Sequence, residues 1–199
     1  MKKRKKTRIL VESAVLIALS VVLSFIKIWQ NPLGGAVTLL SMLPVCTVSV
    51  RHGWKWGLGA SFTYSLFQLL IGITVDGVLA WGLTPVMLVG CILFDYVIAF
   101  TVLGLAGVFR RYGEGGVYAG ISCAILLRFA SHFTSGYVIF RKLTQWTIFG
   151  NTFVDRPVLY SICYNGLFML PELVITLVCT VILMRIPYIR RSVFRLQSA

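Results

Sequence analysis

Acidic residues are scarce in this chain of 199: six Asp and Glu stand against 19 Lys and Arg, a net charge of +13. Histidine occurs only twice, and no second His stands at metal-ligand spacing from His132, since His52 falls in a separate turn. The five cysteines (Cys46, Cys91, Cys123, Cys163 and Cys179) sit singly inside apolar runs, without a CxxC, where thiols pack as small hydrophobes. Together these absences leave no acid pair and no His/Cys cluster for a resident metal. The chain also lacks a P-loop, an HExxH helix and a dinucleotide fingerprint. Ser131 and the 59–61 segment invite a search for a nucleophile, but neither lies in a GxSxG elbow, and His132 points off another side of a helix from Ser131. Any ATP-driven work must therefore come from a partner.

Charged side chains of both signs make up only 13% of the chain, and hydrophobic ones 58%. At a mean hydropathy of +0.87, a soluble domain of this length could not cover its core with polar surface. The pattern specifies an all-α integral membrane protein, a single domain over residues 1–199 with six transmembrane helices. The basic excess does not indicate nucleic acid, because it is gathered in short segments between apolar runs and builds no exposed basic face. The opening MKKRKKTR and the run after it resemble a signal peptide. That run is too long and lacks a small-residue cleavage site, so it reads as a retained first helix.

The expected spans cover about 9–28, 36–50, 56–75, 85–109, 117–140 and 157–185. Asn31-Pro32 and Gly34-Gly35 break the first from the second, which is short and holds Pro44. Gly113, Gly115 and Gly116 supply the turn before the fifth, and Pro157 suits the first turn of the sixth. With the N-terminus inside, fourteen Lys and Arg fall in inner segments, namely residues 1–8, the turns at 51–55 and 110–111, Arg185 and the 186–199 tail. Four (Lys27, Arg141, Lys142 and Arg156) fall outside, and Arg128 lies within a span. The positive-inside bias then places both termini in the cytoplasm.

A few polar side chains interrupt the apolar runs. Arg128 and His132, four residues apart, share one helix face, and Asp95 is the nearest candidate for an opposite charge. At 1.5 Å per residue from the inner ends, Arg128 lies about 18 Å, Asp95 about 22 Å, His132 about 24 Å and Asn165 about 30 Å deep, with Tyr160 higher still. One reading is a structural Asp95–Arg128 pair, which alone is weak evidence of function. The other is a small-molecule site reached from outside. Tyr96, His132, Tyr160, Tyr164 and Asn165 add more donors, acceptors and ring faces at that level than a scaffold requires. A carboxylate there suits a cationic ligand or one with paired N–H donors, and aromatic faces suit a cation. Glu12, within a turn of the inner surface, is placed to snorkel. Glu172, mid-span after Pro171, has no visible partner. Ala14 and Ala18 make a small-xxx-small pair that lets two helices approach closely.

These residues sit in segments that together resemble the thiamine-binding S components of energy-coupling factor (ECF) transporters. The segments are Ala14/Ala18, GGAVTLLSMLP (34–44) with the Arg51 turn, FDYVIAFTVLGLAG (94–107), LLRFASHFTSG (126–136) and LYSICYNGLFMLP (159–171). The resemblance covers nearly the whole chain. It implies that the ligand is thiamine, with no cofactor, and that Asp95, His132, Tyr160 and Asn165 contact it, mainly at the aminopyrimidine. Tyr96 and Phe140 would lend ring surface near the thiazolium, with Arg128 in support. Asp95 stands where the family also uses the longer Glu. The segment from Gly77 to Asp95 is a few residues longer than the family pattern, leaving Trp81, and Trp146 in the fifth loop, as candidates for a further ring. The implied partners are the lipid bilayer, an ECF membrane coupling subunit packed on Ala14 and Ala18, and two cytoplasmic ATPase subunits. The implied location is the cell membrane of a Gram-positive bacterium. Two other readings stay open: the same scaffold for another vitamin or a thiamine precursor, and a proton-coupled membrane protein using Asp95, Arg128 and His132 as a relay.

Overall fold

The computed structural model describes residues 2–31, 34–140, 147–148, 151–152, 156–192 and 194. Its helices are α1 (Lys2–Ser24), α2 (Met42–His52), α3 (Trp54–Thr74), α4 (residues 85–107), α5 (Gly113–Val138), α6 (Pro157–Arg185) and the short α7 (Pro187–Ser192). Among the described residues, four helical stretches are long and apolar enough to cross a membrane: Lys6–Ser24, Trp54–Thr74, Pro85–Val138 and Pro157–Arg185. The third, 54 residues long, comprises α4 and α5, which pack back against each other across the turn at 108–112.

The chain is mostly helical, as expected, and the short second segment, 36–50, is part strand and part helix. Residues Ala36–Thr38 form strand β2, paired antiparallel with β1 (Lys27–Gln30) so that Gln30 faces Ala36. The chain then turns at Leu40, whose φ is +60°, into α2. At 11 residues, α2 is about 16 Å long, too short to span. The apolar run from 36 to 50 conceals this change, because every residue from Met42 to Val50 is buried and no amphipathic period marks the helix. The first helix likewise stops at Ser24, because Lys27–Gln30 joins the hairpin. A second small hairpin pairs β3 (Thr147–Ile148) with β4 (Asn151–Thr152). Of the three glycines expected in a turn, Gly115 and Gly116 lie inside α5. There, a Cβ on Gly116 would sit 2.1 Å from the Phe109 carbonyl oxygen.

The buried α2 packs against α1, α3 and the last turns of α4. The Ser49 hydroxyl donates to the Gly104 carbonyl and accepts the Gly107 N–H at 2.8 Å. At the end of the bundle that carries the basic turns, Glu12 is paired with basic side chains. Its carboxylate accepts from Arg8 at 2.9 Å and from Arg51 at 2.9 and 3.1 Å, with His52 Nε2 at 3.1 Å. Arg110 closes the C-terminus of α2 by donating to the Val50 and Arg51 carbonyls, each at 3.1 Å. Apolar side chains such as Val15, Leu70, Leu126 and Val174 point outward, as a lipid-facing surface requires.

Candidate ligand-binding site

The β1–β2 hairpin and α3 to α6 enclose a cavity of about 950 Å³, its open mouth included. Eight of the nine ligand-site residues named from the sequence line it: Trp81, Asp95, Tyr96, Arg128, His132, Phe140, Tyr160 and Asn165. The ninth, Trp146, lies outside the described residues.

Asp95 and Tyr96 reach the cavity from a segment of α4, Ile92–Ile98, wound as a π-helix. Such wide turns recur at functional sites because they re-aim side chains that an α-helix would hold elsewhere. Tyr96 lies against α3 at Gly72, where a Cβ would meet its hydroxyl at 2.3 Å.

In place of the direct Asp95–Arg128 pair, one of the two readings of the sequence, stands a series. Asp95 Oδ1 lies 2.9 Å from His132 Nδ1, and Oδ2 accepts from the Ser135 hydroxyl. His132 Nε2 accepts from Arg128 Nε–H at 3.3 Å, so Nδ1 carries the proton and donates to Asp95. Arg128 sits one turn further from the cavity mouth. Its guanidinium stacks 4.2 Å from the centre of the Phe100 ring, and Nη1 donates to Met42 Sδ at 2.7 Å.

Asn165 joins α6 to α5, its Nδ2 donating to the Ser161 carbonyl at 2.9 Å and the His132 carbonyl at 3.2 Å. Its Oδ1 makes no hydrogen bond among the described residues, which keeps it available as an acceptor for a ligand N–H. Rings complete the walls. Trp81 meets Phe140 edge-on at 6.1 Å, His132 meets Phe168 at 5.5 Å, and Tyr160 lies 5.6 Å from Tyr164. Trp81 also packs over Gly34, whose φ of +80° suits glycine and where a Cβ would strike the indole at 2.6 Å.

Several lining residues were not singled out from the sequence. Lys27 pairs with Asp76, and Gln30 Nε2 donates to the same carboxylate oxygen at 3.1 Å. Thr38, Ser41 and Gln68 also face the cavity. Lys27 and Asp76 read individually as ordinary loop charges, and only the hairpin brings them together. The cavity thus offers a carboxylate, a free amide oxygen, a neutral imidazole and several ring faces. That set fits a planar nitrogen heterocycle bearing N–H donors and a positive charge.

A family model described as "Thiamine transporter protein (Thia_YuaJ)" matches residues 10–190. The chain belongs to this family. It is 30% identical over 189 residues to the thiamine transporter ThiT of Bacillus subtilis, the match covering 87% of each chain. A solved structure of ThiT from Listeria monocytogenes is similar in fold, with a TM-score of 0.67 and 21% identity over 92% of this chain and 96% of that one. As a member of the thiamine transporter family, the chain is a transporter component and not an enzyme.

Proposed function

We propose that this protein is a multi-pass subunit of a Gram-positive bacterial membrane that captures thiamine from outside. It passes the vitamin to an ECF coupling subunit powered by two separate cytoplasmic ATPases. The observation that carries the reading is the convergence of Asp95, His132, Tyr160 and Asn165 on one cavity in a member of the thiamine transporter family. Thiamine presents an aminopyrimidine with N–H donors and a cationic thiazolium. Asp95 and Asn165 Oδ1 are the acceptors for the amine, and Tyr96, Phe140 and Trp81 are the rings for the cation. Arg128 backs the site through His132. The same series could serve a proton relay, and saturable binding of a vitamin separates the two readings.

Trp81 at the cavity edge provides an optical signal. Titrating the detergent-purified protein with thiamine should give a saturable change in tryptophan fluorescence. Asn165→Ala should weaken binding by about tenfold or more, the value of a buried hydrogen bond with its α5–α6 link lost. A wild-type protein that stays folded and binds no thiamine, by fluorescence or by calorimetry, would refute the reading.

The coupling subunit would pack on α1. Ala14 and Ala18 are exposed there, beside the exposed Val11, Val15 and Val22, so the helix offers a shallow, close-approach surface. Ala14→Leu with Ala18→Leu should leave stability within about 0.5 kcal/mol and thiamine binding intact, as outward-facing substitutions do. Co-purification with the coupling subunit should be lost. Retention of the complex by the double variant would move the interface elsewhere.

A further inference from the structure

We propose that Glu172 is a positioning residue that fixes the β2 wall of the ligand cavity, a role that rests on the ligand-binding reading above. Glu172 lies on α6, is 2% exposed and does not itself line the cavity. Its Oε1 accepts two hydrogen bonds from Thr38 of β2, from the N–H at 2.5 Å and from the hydroxyl at 2.6 Å. The Ser41 hydroxyl lies 2.6 Å from the Thr38 hydroxyl, so Ser41 donates to Thr38 and Thr38 donates to Glu172. Glu172 Oε2 has no hydrogen bond among the described residues.

A buried carboxylate with one oxygen unsatisfied carries a desolvation cost even with the Arg128 charge nearby, and stability alone does not explain the placement. What it holds does. Between Thr38 and Ser41 stands Leu40 with φ +60°, a left-handed conformation that a branched side chain adopts only where its surroundings over-determine it. Glu172 pins the backbone two residues before that turn and, through Thr38, the hydroxyl one residue after it.

The pinned segment leads directly into the site. Thr38 and Ser41 line the cavity, and the next residue, Met42, supplies the sulfur that receives Arg128 Nη1. Arg128 bonds to His132, and His132 to Asp95. Glu172 therefore sets one cavity wall and the resting place of the residue that orients the His132–Asp95 pair. The hairpin loop is tied to α6 a second time, by the Tyr164 hydroxyl donating to the Gly34 carbonyl at 2.8 Å. Loss of Glu172 should thus loosen the segment around Thr38 without detaching the whole hairpin.

The test combines amide hydrogen exchange of residues 36–42 in the ligand-free protein with thiamine association and dissociation rates, for Glu172→Ala, Glu172→Gln and Thr38→Val. Glu172→Ala should speed exchange at 36–42 and thiamine dissociation by about tenfold or more each, with little change in association. Glu172→Gln keeps an oxygen for both Thr38 donors and should restore most of both. Thr38→Val, which keeps the N–H and loses the hydroxyl, should fall between. A Glu172→Ala protein with a lower melting temperature but unchanged exchange and dissociation would overturn the proposal, as would a Gln variant no better than Ala. If Glu172→Ala does not fold, unchanged exchange and dissociation in Thr38→Val would overturn it. If the wild type binds no thiamine, exchange alone decides: protection lost in Ala and kept in Gln supports the anchor, and no difference refutes it.

Discussion

Asp95→Ala is expected to weaken thiamine binding by about a hundredfold or more, the value of a charge-assisted hydrogen bond plus the orphaned donors left behind. The carboxylate has three tasks at once. It accepts from His132 Nδ1–H at 2.9 Å, it accepts from the Ser135 hydroxyl, and it lines the cavity, where a cationic ligand would meet it. Alanine leaves two donors without their acceptor and removes the counter-charge at the end of the Arg128–His132 series. Asp95→Asn keeps the shape and one acceptor oxygen but loses the charge, so its loss should be smaller. Calorimetric titration of both variants, with thermal unfolding as a check of the fold, measures the difference. Equal affinities for wild type and Asp95→Ala would remove this residue from the site.

Gly136→Ala should affect both stability and binding, by crowding and not by chemistry. On α5, Gly136 packs against α6: a Cβ there would sit 2.4 Å from Ser161 Oγ and 3.1 Å from Asn165 Nδ2. Ser161 is itself fixed by donating to the Phe133 carbonyl at 2.7 Å, so it cannot simply turn away. Spreading the helices should cost about 1–3 kcal/mol of stability, as overpacking does in tight interiors. It would also separate Asn165 from His132, whose carbonyl it bonds, and lower thiamine affinity by about tenfold or more. The double variant Gly136→Ala/Ser161→Ala removes the 2.4 Å contact and leaves those at 3.1 Å to Asn165 Nδ2 and 3.2 Å to the residue 161 Cβ, so it should recover part of both losses. Thermal unfolding and thiamine titration read the two effects separately. A Gly136→Ala protein as stable and as tight-binding as the wild type would contradict the close α5–α6 contact.

Much of the site was legible in the sequence because charged and amide side chains inside apolar runs are costly and therefore conspicuous. Asp95, Arg128, His132 and Asn165 stand out in that way, and counting residues along three helices puts them in the outer half of the membrane. The structure brings them to one cavity. What was hidden is what depends on the path between helices. The apolar run from 36 to 50 gives no sign that it begins as a strand, because a strand and a fully buried helix share the same composition. With the hairpin unseen, the Lys27–Asp76 pair, 49 residues apart, and the Glu172–Thr38 bonds, 134 apart, had no signature. Glu172 was visible as an anomaly, and its explanation lay in the hairpin. The alternative of a direct Asp95–Arg128 pair is absent for a local reason: the π-helical winding of Ile92–Ile98 presents Asp95 to His132 and Ser135, while Phe100 and Met42 hold the guanidinium.

Isothermal calorimetry of the detergent-purified wild-type protein with thiamine, alongside a panel of other vitamins and thiamine precursors, tests the central claim most directly. The account predicts one saturable site for thiamine, with much weaker heats or none for vitamins that lack an aminopyrimidine and a cationic ring. A folded protein that is silent to thiamine and saturated by another vitamin would keep the scaffold and contradict the assignment of its ligand.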